Sequence, residues 1–456
     1  MPSRSDQLHS YQFAMQRVVS ALMARETDPA RPPMRRAGTA LFAGLLVAAL
    51  TLAGFAVWGL LQPGGSTRWR DGRSVIVEKE SGAKYAYLDG RLHPVANYAS
   101  ALLIVGAPAT VQVARRSLAG VARGAPLGIV GAPDAVPRKS DLLRGAWQVC
   151  SRSEGAGVRS VVRVGAPAGG GEALGDGGLL VSTPDGGVHL VWQGRRSRLR
   201  EPEALRGILV WGAPVPVAAA FVNALPAVAD LARVPLSGRG RSFGSVAGAR
   251  VGQVFLVDGR QHAVALQEGL APVTAFQAAL LLGDPATVEL VGQKAATPLS
   301  AGEYAAVPRT SLPGNWAGLP VAPPRLAEPP VGAALCAVPE GEVTVGASVA
   351  GASAVRSSAG ASSAAAPSAG ASSAGADEVF VPPGRGVLVA AVASAQAPGG
   401  ALYLVTESGV RHAVPAEALP ALGYDGVTPV QVPAGVLALL PSGAALDPQA
   451  ARTPLR

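Results

Sequence analysis

The sequence is poor in the residues that usually form catalytic or metal-binding sites. It has two cysteines and five histidines among 456 residues. Neither Cys150 nor Cys336 has another cysteine or a histidine at ligand spacing, which argues against a zinc site. The cationic residues are scattered, without a basic run interleaved with aromatics, so nucleic acid is a poor candidate partner. We therefore expect no metal, no cofactor and no nucleic acid.

The usual signatures of nucleotide and hydrolase sites are also missing. None of the four lysines directly follows a glycine, so the chain has no phosphate-binding Gly-Lys-Ser/Thr loop. The sequence contains neither a Gly-x-Ser-x-Gly elbow nor a His-Glu-x-x-His helix. Spacing alone does not exclude the paired carboxylates of a glycosidase.

Aromatic residues make up only 5% of the chain, whereas it contains 57 glycines and 39 prolines. This composition predicts many short elements joined by turns rather than long packed helices. The length is sufficient for several domains. The dispersed net charge of +9 suits contact with anionic lipid headgroups.

One long segment lacks charged residues altogether. Residues 37–61 comprise 25 residues without a charge, enough to cross a hydrocarbon core of about 30 Å. The run is too long, and begins too late, for a cleaved signal peptide. We interpret it as a single transmembrane helix. Arg31, Arg35 and Arg36 precede it and favour a cytoplasmic N-terminus, although Arg68, Arg70 and Arg73 follow it.

The preceding tail, residues 1–36, has apolar residues at three- and four-residue steps. This spacing predicts a short amphipathic helix whose apolar face docks a partner protein or the membrane surface. The face consists of Leu8, Tyr11, Met15, Val18, Val19 and Leu22.

Beyond the span, four segments share a strand, a turn ending in glycine, a second strand and a helix-like stretch. The Asp-Gly pairs between alternating apolar residues are a strong hairpin signal. The turn glycines are Gly90, Gly194, Gly259 and Gly409. The predicted repeats span residues 70–134, 179–245, 246–307 and 378–456. His93, His262 and His412 follow three of these turns at one position, where the second repeat has Ser197. We expect these histidines to be structural.

Two insertions separate the repeats, and each contains one cysteine. We expect residues 135–178 and 308–345 to form one central domain, with the repeats arranged around it. Both cysteines lie on the same side of the span, and such a pair in an exported domain predicts a disulfide. Residues 346–377 are almost entirely Ala, Ser and Gly, which predicts a flexible linker. The predicted fold class is α+β.

The sequence resembles the EccB family, the single-span core subunit of type VII (ESX) secretion systems in actinobacteria. The resemblance is carried by the tail from Ser3 to Arg25, the span, the segment from Tyr85 to Pro108, and the two cysteine regions. It implies a cell-membrane assembly subunit that joins EccC, EccD and EccE and exports small helical effector proteins. It also implies an extracytoplasmic domain that oligomerises.

Two other function classes remain open at this point. One is an envelope enzyme, either an ATP hydrolase or a cell-wall hydrolase. ATP hydrolysis is the only activity that the resemblance suggests, and no motif supports it. The other is a peptidoglycan-binding module.

Overall fold

The computed structural model describes residues 3–24, 33–61, 67–155, 157–165, 169–339, 341–347, 355–356, 375–393 and 399–455. Its mixed helices and strands confirm the α+β class. The chain divides into two compact units. One consists of Met1–Arg68 and Val113–Ala119, and the other of Trp69–Gln112 and Gly120–Arg456. Most of the predicted linker lies outside the described residues.

The first unit contains two long helices, α1 (Arg4–Ala24) and α2 (Pro33–Leu61). Within α2, the segment Gly38–Val57 has a mean hydropathy of 2.3, and none of it is buried in the protein. Among the described residues it is the one helix that is long and apolar enough to cross a membrane. Its apolar side chains, of which Phe42 is 79% and Val57 54% exposed, require a nonaqueous environment.

The second unit follows the chain in five groups of elements. The first group is β1 (Val75–Glu78), β2 (Lys84–Leu88), β3 (Arg91–Pro94), α3 (Tyr98–Val105) and β4 (Thr110–Val113). The short helix that follows, α4 (Arg115–Leu118), belongs to the first unit. The second group is β5 (Gln148–Glu154), β6 (Gly157–Arg163) and β7 (Glu172–Ala173). The third is β8 (Gly178–Ser182), β9 (Val188–Trp192), β10 (Arg195–Arg198), α5 (Pro202–Leu209), β11 (Val215–Pro216) and α6 (Ala219–Asn223).

The fourth group is β12 (Val254–Val257), β13 (Gln261–Leu266), β14 (Gly269–Val273), α7 (Ala275–Gly283), α8 (Pro285–Val291), β15 (Thr297–Leu299) and α9 (Ala301–Ala306). The fifth begins with β16 (Ala334–Ala337), β17 (Val343–Ala347), β18 (Val355–Arg356) and β19 (Glu378–Phe380). It continues with β20 (Val387–Val392), β21 (Leu402–Val405), β22 (Arg411–Ala413), α10 (Leu419–Leu422), β23 (Val430–Pro433), α11 (Ala434–Leu437) and α12 (Pro448–Ala451). Short 3₁₀ turns occur at Arg68–Asp71, Lys139–Asp141 and Ala416–Ala418.

Four modules share one sheet topology. Each has a four-stranded sheet in the order third, second, first, fourth, with a helix between the third and fourth strands. Modules 1 to 4 are defined by the sheets β1–β4, β8–β11, β12–β15 and β20–β23. The first three strands of each module form an antiparallel meander. In modules 2, 3 and 4 the fourth strand pairs with the first in parallel, which requires the helical crossover between them.

A seven-stranded sheet lies outside the modules. Its order is β18-β19-β6-β5-β16-β17-β7, so it combines strands from both predicted insertions. It also includes β19, from the start of the segment predicted as the fourth repeat. The segment between residues 308 and 333 contributes no strand to this sheet; Leu312, Trp316 and Leu319 pack instead with modules 2 and 3.

The hydrophobic cores join the modules in pairs. One cluster contains α3 residues such as Leu103 together with Leu422 and Leu446 of module 4. Another contains Leu190 of module 2 together with Phe276 and Leu281 of module 3. The core of module 1 is therefore completed by module 4, which follows modules 2 and 3 in the sequence, and the core of module 2 by module 3. Each pair buries apolar surface that one small sheet and helix would leave exposed.

Candidate functional site

The disulfide joins the two halves of the seven-stranded sheet. Cys150 on β5 lies directly opposite Cys336 on β16, with a Cα–Cα distance of 4.0 Å. Both residues are fully buried, and they pack against Val161 and Ala347. Because 186 residues separate them along the chain, the bond closes a very long loop. It connects directly paired strands, so it fixes their register as well as their proximity.

Three of the four glycines predicted at turns lie in tight hairpin loops. The loops of Gly90 and Gly194 have two residues, and the loop of Gly259 has three, 258–260. The backbone φ is positive at both residues of each pair Asp89-Gly90, Gln193-Gly194 and Asp258-Gly259. Positive φ at both central positions is the mark of a type I′ turn, which matches the twist of antiparallel strands. Gly409 also has positive φ, but it ends a longer loop that begins at Thr406.

The structure places Gly259 in a different hairpin from the other three glycines. Gly90, Gly194 and Gly409 lie between the second and third strands of their modules, whereas Gly259 lies between the first and second. His262 is consequently on the second strand. The residue of module 3 that corresponds to His93 is Ala271, as the strand register shows. An Asp-Gly turn suits either hairpin equally well, so local sequence did not distinguish them.

In three of the modules, one side chain of the third strand forms a hydrogen bond with the backbone of a downstream segment. His93 Nδ1 lies 2.9 Å from the carbonyl oxygen of Ala125. His412 Nδ1 lies 2.9 Å from the carbonyl oxygen of Ala444. Ser197 Oγ donates to the carbonyl oxygen of Ala229 at 2.6 Å. Each acceptor is 32 residues downstream of its partner. We call these three hydrogen bonds the module clasps.

The residue before each acceptor is matched in size to the clasp side chain. It is Gly124 beside His93 and Gly443 beside His412, and a Cβ at either glycine would lie under 2.4 Å from an imidazole carbon. In module 2 the small Ser197 is matched by Val228. Module 3 has no clasp, because Ala271 carries no polar group; its downstream residue is Thr310, whose N–H donates to Leu270.

Since a carbonyl oxygen only accepts, the Nδ1 of both clasp histidines carries the proton. His412 is only 3% exposed, and burial lowers its pKa. The neutral imidazole therefore serves as a fixed hydrogen-bond donor in module 4. His93 and His412 thus each connect a third strand to a downstream segment, whereas His262 forms no clasp.

Modules 1 and 4 are also joined by polar contacts. The Tyr424 hydroxyl donates to the carbonyl oxygen of Pro137 at 2.7 Å, and burial raises the pKa of Tyr424. Arg452 donates to the carbonyl oxygen of Ile104 at the end of α3. The backbone N–H of Leu455 donates to the carbonyl oxygen of Pro126. The C-terminal residues thus lie against the first module.

The apolar face predicted for the tail is exposed on α1. Leu8, Tyr11, Met15, Val18 and Leu22 are each about half exposed or more, and Val19 is half-buried. Phe13 is equally exposed, although the periodicity did not place it on this face. Exposed large apolar residues on one helix require a cover in water.

No group of three or more His, Cys, Asp or Glu side chains in the described parts of the chain could hold a metal ion. A cavity lined by several charged side chains lies in module 2, around His189.

Comparison with known proteins places these features in a family. The model of the family "Type VII secretion system ESX-1, transport TM domain B" matches residues 1–455. The ESX-3 secretion system ATPase EccB3 of Mycolicibacterium smegmatis is 28% identical over 97% of this chain and 88% of its own length. The ESX-2 secretion system ATPase EccB2 of Mycobacterium tuberculosis is 33% identical over 54% of this chain and 52% of its own.

Two solved structures share the fold. A chain of an intact ESX-5 inner membrane complex superposes with a TM-score of 0.67 at 24% identity, covering 100% of this chain and 96% of that one. The EccB3 dimer from the ESX-3 core complex gives a TM-score of 0.63 at 24% identity, covering 83% and 100%. With a family match over nearly the full length, the chain belongs to the EccB family of type VII secretion membrane proteins.

Proposed function

We propose that this chain is a structural and assembly subunit of a type VII secretion complex in the cell membrane. The observation that carries the proposal is the family match over residues 1–455. The structure supports it in physical terms. One apolar helix provides a membrane anchor, while paired modules and a cross-linked sheet provide a rigid body. The proposed substrates of the complex are small helical effector proteins.

We place the N-terminus in the cytoplasm and the modules outside the membrane. The buried disulfide supports this orientation, since such bonds persist in oxidising compartments. So does the arginine cluster that precedes the span.

Single cysteines test the orientation, because both native cysteines are in the disulfide. Ser10→Cys places a thiol on the tail, and Ser81→Cys places one on an exposed turn of module 1. A membrane-impermeant maleimide should label Ser81→Cys in intact cells and Ser10→Cys only after lysis. Labelling of Ser10→Cys alone in intact cells would contradict the orientation.

We propose that the exposed face of α1 docks another subunit of the complex, of the EccC, EccD or EccE type. The Tyr11 and Met15 side chains are 67% and 49% exposed at the centre of this face. A carboxylate there would be desolvated on docking, at a cost of several kcal/mol. Tyr11→Asp and Met15→Asp should therefore reduce the large complex seen by native electrophoresis of solubilised membranes.

Ser10→Asp, on the same helix and also exposed, is the control. It should leave the complex intact. If all three variants assemble as the wild type does, α1 is not the docking element. We also propose that the modules form a homo-oligomer. Chemical cross-linking of the purified chain tests this proposal independently of α1.

The relatives are named ATPases, which suggests ATP hydrolysis as a second function to test in this chain. Turnover that persists through purification in detergent and disappears with one point substitution would establish an enzyme. Turnover that falls progressively with purification would indicate a contaminant.

A further inference from the structure

One face of the module 2 sheet carries a cavity with an unusual set of charged groups. Its volume is about 230 Å³, and its lining includes Thr183, Asp185, His189, Arg196, Arg198 and Asp230. Arg198 on β10 lies directly opposite His189 on β9. Arg196 precedes Arg198 by two residues, so both guanidinium groups are on the face that carries His189.

The two carboxylates of the cavity already have partners. Asp185 accepts from the Thr183 hydroxyl and from the Gly187 N–H. Asp230 pairs with Arg200, which does not line the cavity, and it also attracts Arg196 electrostatically, as Asp185 attracts Arg198. Among the described residues, no carboxylate lies within ion-pair distance of either lining arginine. Arg196 has one hydrogen bond, from Nε to the carbonyl oxygen of Leu225 at 3.2 Å.

His189 is the second unsatisfied group. It is 7% exposed, and its Nδ1 is buried with no hydrogen-bond partner in the described structure. Burial and the nearby arginines lower its pKa, so the ring is neutral near pH 7. A buried polar atom without a partner costs about 1–3 kcal/mol, which makes an unused Nδ1 unexpected in a purely structural histidine.

We infer that this cavity binds a small oxyanion, either a phosphate or a carboxylate group. Two guanidinium groups supply the charge and the forked donors that both anions favour, and the neutral ring of His189 lines the same cavity. A drug-sized ligand needs about 300–1,000 Å³, so the cavity suits a small ion or the charged end of a larger molecule. The inference does not depend on the proposed secretion function.

The test uses the full-length chain in nanodiscs of zwitterionic lipid, so that no lipid anion competes. Sodium phosphate or sodium acetate replaces sodium chloride at constant ionic strength, and binding is measured by calorimetry and by the melting temperature. Because phosphate stabilises most proteins by exclusion from their surfaces, the decisive quantity is the difference between wild type and variants.

Arg196→Gln and Arg198→Gln should each weaken anion binding at least about tenfold, as expected for the loss of a charge-assisted hydrogen bond. Arg195→Gln is the matched control: it is on the same strand, exposed, and on the opposite face. It should bind as wild type does. His189→Leu should keep the melting temperature in chloride, because it removes a buried Nδ1 that has no hydrogen-bond partner in the described structure, yet weaken binding.

Each outcome decides the inference. Binding of phosphate but not acetate identifies a tetrahedral anion, and binding of both identifies the shared oxyanion chemistry. Absence of binding with either probe in the wild type overturns the proposal. So does an affinity that Arg196→Gln and Arg198→Gln leave unchanged, or that Arg195→Gln lowers equally.

Discussion

Replacing His412 and Gly443 of module 4 with a smaller and a larger residue, as in module 2, tests whether the size match between them controls stability. A Cβ added at Gly443 would lie 2.3 Å from His412 Cε1 and 2.6 Å from Nδ1. Ordinary carbon contacts need about 3.5–4.0 Å, so the imidazole would have to move by more than 1 Å. That displacement breaks the 2.9 Å hydrogen bond to Ala444 in a buried site.

Gly443→Ala should therefore cost about 2–4 kcal/mol, which combines overpacking with a lost buried hydrogen bond. His412→Ser alone should cost about 1–3 kcal/mol, since it leaves a cavity beside the glycine. The double variant His412→Ser/Gly443→Ala should cost less than the sum of the single changes, by about 1–3 kcal/mol. Serine can then bond Ala444, as Ser197 bonds Ala229.

The assay is the melting temperature together with hydrogen exchange of the peptide that contains β22 and β23. Hydrogen exchange is needed because a chain of several modules need not unfold in two states. Gly435→Ala is the control, since a Cβ there meets no atom within 4 Å. A neutral Gly443→Ala, or strictly additive costs in the double variant, would refute the size match.

Three further predictions concern the rest of the second unit. Cys150→Ser and Cys336→Ser should each lower the melting temperature, with a loss of up to about 5 kcal/mol from the long closed loop; unchanged melting in both would contradict a stabilising bridge. Because burial lowers the pKa of His412, its contribution to stability is present above about pH 6.5 and is lost as the pH falls below it. Urea unfolding between pH 5 and 7.5 should show a shallower acid decline in His412→Ser than in the wild type. Arg239→Met should cost about 3–5 kcal/mol in the same assay, because it leaves the buried Asp284 carboxylate without its ion pair, whereas equal stability would show that Asp284 finds another partner.

The hairpins were predictable from sequence because their determinants are local. Asp89-Gly90 and Asp258-Gly259 have the turn chemistry in two adjacent residues, and the alternating apolar residues on either side form the strands. The same locality explains why His262 was assigned to the wrong strand. The residues around Asp258 do not indicate whether the turn joins the first and second strands or the second and third. The family was recognisable for a similar reason, because each motif of the tail and of the cysteine regions is a short continuous stretch of sequence.

The clasps and the fourth strands were not predictable from one sequence. A clasp joins residues 32 positions apart, and its acceptor is a backbone carbonyl that any residue provides. The signal that could have revealed it is the exchange of His-Gly for Ser-Val between modules 1 and 2. The fourth strand of module 2, Val215–Pro216, has only two residues, too few for a periodicity. The cavity at His189 likewise depends on strand register.

The return of the C-terminal residues to the first module has a consequence for the order of folding. The apolar helix α3 of module 1 is covered by α10 and α12 of module 4, which are synthesised after modules 2 and 3. Module 1 therefore cannot complete its interior while the ribosome is still translating the remainder. The apolar surface of module 1 therefore stays exposed on the nascent chain until module 4 has been synthesised.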